Sequence, residues 1–153
     1  MEKNLCAVLL AAGEGKRMRS NKPKVLCEVL LKPMLGWVID SAKAAGIGDV
    51  CVVTGHLEDQ VKAYLGDTAA TVTQSERLGT GHAVMMAKEF LAAHAGGHVL
   101  VACGDAPFLD TKTISAALKQ HISRNDAVTV ISASLEDPTG YGRIIRKEDG
   151  SLA

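Results

Sequence analysis

Leu5-Cys6-Ala7-Val8-Leu9-Leu10-Ala11-Ala12-Gly13 is the stretch on which the reading of the fold turns. From Leu5 to Leu10 the run is apolar without a break, and it closes on Ala-Ala-Gly. A half-buried strand would alternate polar and apolar residues, and a surface helix would show polar residues at a period of 3.6. An unbroken run ended by glycine is expected of a strand buried on both faces, as in the middle of a parallel sheet. Such a strand needs helices on either side, so the chain downstream should alternate helix with strand.

The pattern does alternate. Met34, Leu35, Val38, Ile39 and Ala42 recur at helical spacing, with Pro33 suited to the first turn. Residues 49–54 read as a second strand. Leu57, Val61 and Leu65 form a helical stripe that stops at Gly66. Residues 71–73 make a short strand. Ala83, Met86, Ala87, Phe90 and Leu91 share one helical face, and residues 98–102 form a strand running into Gly104-Asp105-Ala106-Pro107. Ile114, Ala117, Leu118, His121 and Ile122 give another helix, followed by a strand over 127–133. Strands and helices spaced in this way predict right-handed crossovers and a mostly parallel sheet. The expected class is α/β, a three-layer Rossmann-like sandwich. Residues 142–146 look like a strand and Lys147-Glu148-Asp149-Gly150 like a hairpin turn, with three residues remaining. A hairpin arm gains little from ending there, so the sequence is expected to be the N-terminal nucleotide-binding portion, 1–153, of a longer chain.

Composition narrows the function. The 153 residues suffice for one domain with a sizeable core. Lys plus Arg and Asp plus Glu number 17 each, so net charge argues for neither nucleic acid nor a membrane surface. One Trp, two Tyr and two Phe are too few for a stacking platform on single-stranded nucleic acid. Cys6, Cys27, Cys51 and Cys103 lie far apart with no C-x-x-C pair, which disfavours a disulfide framework or a zinc site. Cys6, Cys51 and Cys103 fall in apolar runs where a small buried thiol fits. The apolar run to Ala12 is too short for a signal-peptide core or a membrane span. A soluble protein of the reducing cytoplasm is expected.

Any basic site must then be local, and one is present. Ligands in an open parallel sheet collect beyond the carboxyl ends of its strands. There the first loop carries Gly13 and Gly15, whose backbone can approach a phosphate closely, with Lys16, Arg17, Arg19, Lys22 and Lys24 around it. This concentration of cations suits a triphosphate. The loop matches neither G-x-G-x-x-G nor G-K-[ST], so a tight turn with a solvated basic loop is the competing reading. A second segment, Gln74-Ser75-Glu76-Arg77-Leu78-Gly79-Thr80-Gly81-His82-Ala83, opens a helix on the same edge. Gln74 has an amide donor and acceptor able to read a base edge, Gly79 and Gly81 expose backbone, and Thr80 can cap the helix. A plain loop and cap is the alternative, and His82 reads as structural. Asp105, directly after a buried strand, is placed either to hold Mg²⁺ or to cap a turn. The glycines of residues 137–143 allow close ligand approach or simply make a turn.

Taken in order, L-A-A-G-E-G-K-R-M (10–18), P-K-V-L (23–26), Q-x-x-x-L-G-T-G-H-A (74–83), G-D-A-P (104–107) and D-P-T-G-Y-G-R-I (137–144) resemble one family. It is the pyrophosphorylase domain of the GlmU family, the bacterial bifunctional UDP-N-acetylglucosamine pyrophosphorylases and glucosamine-1-phosphate acetyltransferases, within the sugar nucleotidyltransferases. The resemblance implies the nucleotide-diphospho-sugar transferase fold. It implies transfer of UMP from UTP to N-acetylglucosamine-1-phosphate, with release of pyrophosphate, for cell-wall peptidoglycan precursors. By the same resemblance Leu10, Ala11, Ala12 and Gly13 would surround the uridine, and Gly15, Arg17 and Lys24 would hold the phosphates. Arg17 and Lys24 would be the catalytic cations, and Gln74, Gly79 and Thr80 would recognise the base. Asp105 would bind Mg²⁺, and Gly142 would lie against the sugar. Full-length family members are implied to be homotrimers through a C-terminal domain beyond Ala153. This chain departs from the family at Lys16, where Thr is common, at Cys27, where His is usual, at Leu31, where Gly is usual, and at Cys103, where an aromatic is frequent. Two other functions stay open: a non-catalytic nucleotide-binding module, and a related transferase using CTP or a molybdenum-cofactor precursor.

Overall fold

A computed structural model describes residues 4–15 and 21–151. Lys16, Arg17 and Arg19 therefore lie outside the described residues. The chain divides into two compact units, Met1–Ser115 and Ala116–Ala153.

The first unit is built on β1 (Leu5–Leu10), β4 (Asp49–Thr54), β5 (Ala70–Thr73) and β6 (His98–Cys103), all parallel, in the order β5-β4-β1-β6. Cys6 pairs with Asp49 and Leu10 with Val53 on one side of β1, while Leu5 pairs with His98 and Leu10 with Cys103 on the other. The unbroken apolar run thus lies inside the sheet, as its composition predicts. Val8, Cys51 and Val53 cluster with Ala83 and Ala87 on one face, joined by Phe90 and Leu91. Ala7, Leu9, Val50 and Val52 point the opposite way and are buried as well.

That second face belongs to α1 (Met34–Ala44) and α2 (Glu58–Leu65), because right-handed crossovers from β1 to β4 and from β4 to β5 run along the same side. Helix α1 buries Leu35, Val38, Ile39 and Ala42, the stripe read from the sequence. Pro33 precedes α1, with φ −54° and ψ 140°, instead of standing in its first turn. It also ends β3 (Lys32–Pro33), which pairs antiparallel with β2 (Glu28–Val29) in a small hairpin. Trp37 Nε1 donates to the Val29 carbonyl at 2.8 Å and pins that hairpin to α1. Helix α2 carries Glu58 and Asp59 in its first turn, where the helix dipole favours carboxylates, and stops at Gly66 with φ 49°.

The single helical face expected over 83–91 is divided between α3 (Thr80–Met86) and α4 (Lys88–Ala93), with Ala87 at the break. The expected cap is displaced too. Gly79, at φ 97°, occupies the N-cap and Thr80 is the first helical residue without a side-chain capping bond. A backbone this far into positive φ admits glycine readily and threonine poorly.

Cys6 and Cys51 are buried as expected, and burial pushes the Cys51 thiol up to about 11, with Cys6 adding to the shift. Cys103 is exposed, contrary to its apolar context. The reason is topological: β6 is an edge strand whose Val99, Val101 and Cys103 share an uncovered face.

Helix α5 (Thr111–Arg124) leads into the second unit. The strand expected over 127–133 does not form. Strand propensity needs a ladder partner, and the described residues of this unit offer none. Local bonds hold the segment instead: Asp126 N–H donates to the His121 carbonyl at 3.1 Å, and Thr129 Oγ1 donates to Asp126 Oδ2 at 3.3 Å. The strand expected over 142–146 reduces to a single bridging residue, Arg146. The turn at 147–150 does form, closed by Gly150 N–H on the Lys147 carbonyl at 2.9 Å.

Candidate nucleotide-binding site

The loop after β1 leaves the sheet at its carboxyl edge. Its course is tied to the neighbouring strands, since Ala11 N–H donates to the Val53 carbonyl at 2.8 Å and Gly104 N–H donates to the Leu10 carbonyl at 2.9 Å. Gly55, after β4, meets the same loop: a methyl there would lie 2.9 Å from both the Cβ and the carbonyl oxygen of Ala12. No side chain fits between them. These contacts draw the ends of β1, β4 and β6 together around one cleft.

That cleft, of about 340 Å³, is lined by Leu10, Ala11, Ala12 and Gly13 from the first loop and by Gln74, Arg77, Gly79, Thr80 and Ala83 from the second; Lys24, Val25, Cys103 and Asp105 complete it. Nine of the sequence-predicted residues therefore converge: Leu10, Ala11, Ala12, Gly13, Lys24, Gln74, Gly79, Thr80 and Asp105. Gly15 is placed differently. It stands at φ 61°, and a Cβ on it would sit 2.8 Å from the Lys24 Cβ, so it makes room for Lys24. Arg17 lies outside the described residues. Gly142 belongs to the second unit, at an exposed position.

Lys24 reaches the cleft because a turn of 3-10 helix, Lys24–Leu26, buries its neighbours Val25 and Leu26. Its Nζ lies 2.6 Å from Asp105 Oδ2, with each side chain about one-third exposed (35% and 31%). The expected positive patch is thus partly neutralised from within. Lys22 likewise pairs with Glu28 at 3.1 Å.

Gln74 is buried at 5% exposure. Its Nε2 donates to the Gly79 carbonyl at 3.1 Å and lies 3.0 Å from His82 Nδ1. A side-chain amide has two protons, and both are taken when His82 Nδ1 accepts. His82 then carries its own proton on Nε2 and serves the loop structurally, as its position suggested. What Gln74 retains for a ligand is the acceptor Oε1. Its backbone N–H is fixed to the Thr54 carbonyl at 2.8 Å, at the end of β4.

Arg77, Val25 and Cys103 line the cleft without standing among the expected site residues. Arg77 stood within a quoted motif, but nothing in the motif distinguishes a guanidinium facing the cleft from one facing solvent. In the structure it pairs with Glu14 of the first loop. Cys103 faces the cleft beside Asp105, and partial burial and that carboxylate raise its thiol while Lys24 opposes them. No group of three His, Cys, Asp or Glu side chains suited to a metal occurs among the described residues. Nor does any helix among them have the length and apolarity to cross a membrane.

The chain is similar to GlmU proteins in sequence and to nucleotidyltransferases in architecture. The chain is 48% identical to the bifunctional protein GlmU of Caldanaerobacter subterraneus subsp. tengcongensis over 148 residues, 97% of this chain and 32% of that protein. It is 45% identical to the GlmU of Staphylococcus saprophyticus over 146 residues, 95% of this chain and 32% of that protein. The chain thus spans about a third of the length of these relatives. Among solved structures, a nucleotidyl transferase from Methanothermobacter thermautotroptrophicus superposes with a TM-score of 0.63 at 23% identity, over 78% of this chain and 58% of its own. The UDP-glucose pyrophosphorylase of Acinetobacter baumanii gives 0.61 at 22% identity, over 78% of this chain and 53% of its own. These likenesses fix the fold as that of the nucleotide-diphospho-sugar transferases. The model of the MobA-like NTP transferase domain matches residues 7–148, and the chain belongs to that family.

Proposed function

We propose that the cleft binds UTP and that the chain, as the nucleotide-binding portion of a longer protein, takes part in transfer of UMP to N-acetylglucosamine-1-phosphate. The observation behind this reading is the convergence of Gly13, Lys24, Gln74, Gly79 and Asp105 on one cleft at the carboxyl edge of a parallel sheet. Similarity to GlmU proteins over nearly the whole chain supports the sugar substrate.

Each residue has a defined task in this reaction. Uracil presents an N3–H donor where cytosine presents a bare acceptor, so the Oε1 acceptor of Gln74 favours UTP over CTP. Backbone amides of the loop after β1 receive the phosphates, with Gly13 leaving room for close approach. An oxygen of the sugar phosphate attacks the α-phosphorus, a new P–O bond forms, and the bond to the β-phosphate oxygen breaks to release pyrophosphate. Lys24 offsets the charge that develops on the departing group, and Arg17 is assigned the same task. Gly142 is assigned to the sugar.

Asp105 suits Mg²⁺ in this setting. A lone carboxylate at the cleft wall is a poor all-protein cage, but magnesium is commonly held by one or two carboxylates together with substrate phosphates and water. When bound there it would neutralise phosphate charge. Lys24, now on Asp105, would then be free to turn to the nucleotide.

Nucleotide binding and pyrophosphate release test the proposal directly. UTP with Mg²⁺ should raise the melting midpoint more than CTP, GTP or ATP. Lys24→Ala should leave the fold intact and lower turnover by a factor on the order of 10²–10³. Near-normal turnover in that variant overturns the role of Lys24. UTP binding with no pyrophosphate released would favour a nucleotide-binding module, a reading consistent with the chain's share of its relatives' length.

A further inference from the structure

Glu14 and Arg77 have no task in the reaction above, yet they join the two loops that form the cleft. Glu14 stands between Gly13 and Gly15, Arg77 between Gln74 and Gly79, and the Arg77 guanidinium donates to the Glu14 carboxylate. The Arg77 side chain also lines the cleft and is 46% exposed, while that of Glu14 is 25% exposed. Neither 11–15 nor 75–79 contains helix or strand. Each loop is anchored to the sheet at one end, by Ala11 N–H on the Val53 carbonyl and by Gln74 N–H on the Thr54 carbonyl. Beyond those anchors the first loop carries Gly13 and Gly15 and the second ends on Gly79, and segments without helix or strand lose conformational freedom when ordered around a ligand.

We propose that Glu14 and Arg77 are positioning residues, a latch that holds the phosphate-side loop at a set distance from the base-side loop and thereby tightens nucleotide binding. The proposal rests on the nucleotide reading of the cleft. A cross-link made before the ligand arrives lowers the ordering cost of binding, which raises affinity without a new ligand contact. Because the pair is partly exposed, its effect is modest and weakens with salt.

The test uses the whole chain and four variants: Glu14→Gln, Arg77→Gln, Arg77→Lys, and the exchange of the two residues, Glu14→Arg with Arg77→Glu. Two quantities are measured, the dissociation constant of UTP with Mg²⁺ and the amide exchange rate of residues 75–81 in the ligand-free protein. Each Gln variant should weaken UTP binding by about three- to fivefold, the range of an exposed pair, and speed exchange in the loop. Arg77→Lys and the exchanged pair should restore both quantities to within about twofold of the wild type, as an ion pair of either polarity does. Unchanged exchange in both Gln variants overturns the latch. So does a large loss in Arg77→Gln alone that neither Arg77→Lys nor the exchanged pair repairs, because that result makes Arg77 a direct ligand contact. Should the wild type fail to bind UTP, the nucleotide reading fails, and the exchange rates still decide whether the latch exists.

Discussion

Gly13→Ala separates folding from ligand binding more cleanly than any other substitution in the cleft. Among the described residues a Cβ on Gly13 would meet no heavy atom within 4 Å, and its φ is not among the positive values. The folded chain therefore accommodates the methyl without strain. Replacing a compatible glycine by alanine restricts the unfolded chain and stabilises by about 0.4–1 kcal/mol. Binding should respond in the opposite direction. Gly13 lines the cleft, and in the proposed reading the space that makes the methyl harmless to folding is the space a phosphate needs to reach the loop amides. Losing one hydrogen bond to a charged group removes about 1.5–3 kcal/mol, a loss of roughly 10- to 150-fold in affinity. Gly55→Ala provides the contrast. Its methyl would stand 2.9 Å from the Ala12 Cβ and carbonyl oxygen, so the loop must shift, at about 1–3 kcal/mol of stability. Urea unfolding and calorimetric titration with UTP and Mg²⁺ measure both effects. If Gly13→Ala loses stability, or binds UTP as tightly as the wild type, the assignment of this open space to phosphate is refuted.

Two further predictions concern stability alone. Leu30 and Leu31 join β2 to β3 with φ of 51° and 62°, in the left-handed region, and are 81% and 95% exposed. Exchanging them for Asn-Gly should raise the unfolding free energy by about 1 kcal/mol, because two-residue hairpin turns with both φ positive favour that pair; an unchanged or lower urea midpoint would contradict the turn geometry. His94 lies between two acceptors, the Phe90 carbonyl 2.8 Å from Nδ1 and Asp49 Oδ2 3.0 Å from Nε2. Both nitrogens must then donate, which favours the imidazolium, and the Phe90 bond first and the Asp49 bond second raise its pKa above the ordinary histidine value. A folded pKa above the unfolded one gives stability that is complete below pH of about 6.5 and lost as pH rises through the folded value. His94→Gln should flatten that part of the stability–pH curve, and an unaltered curve would exclude the assignment.

Much of the fold was legible because buried parallel strands read as continuous apolar runs. Leu5–Leu10 is the apolar run itself, and Asp49–Thr54 is the run Val50–Val53 with one polar residue at each end. The failures share a cause. Residues 127–133 have strand-like composition, but pairing is a property of a neighbour and not of the segment. Cys103 has an apolar context, but its exposure follows from the edge position of β6, which only the strand order reveals. The β2–β3 hairpin escaped because its turn is Leu-Leu, which carries none of the residues that ordinarily mark positive φ. Leu31 stands where the family pattern has Gly, and the structure supplies the meaning: this chain holds a leucine where the backbone favours glycine.

The candidate site was legible as a set of residues and not as a set of pairings. The cations around the first loop predict a concentrated positive patch suited to a polyanion. In the structure the cations Lys24 and Arg77 at the cleft each meet a carboxylate, Asp105 and Glu14, and these carboxylates come from different loops. Charge balance therefore changes what binding must accomplish. A triphosphate arriving without a metal would compete with Asp105 for Lys24 and leave that carboxylate beside its own anionic oxygens, an unfavourable exchange. In the proposed reading a divalent cation arriving with the nucleotide would resolve the conflict, since it would satisfy Asp105 and leave Lys24 for phosphate. On this argument Lys24 and Asp105 form one unit: removing either leaves the other charge uncompensated in the cleft, so the two single substitutions should not be additive.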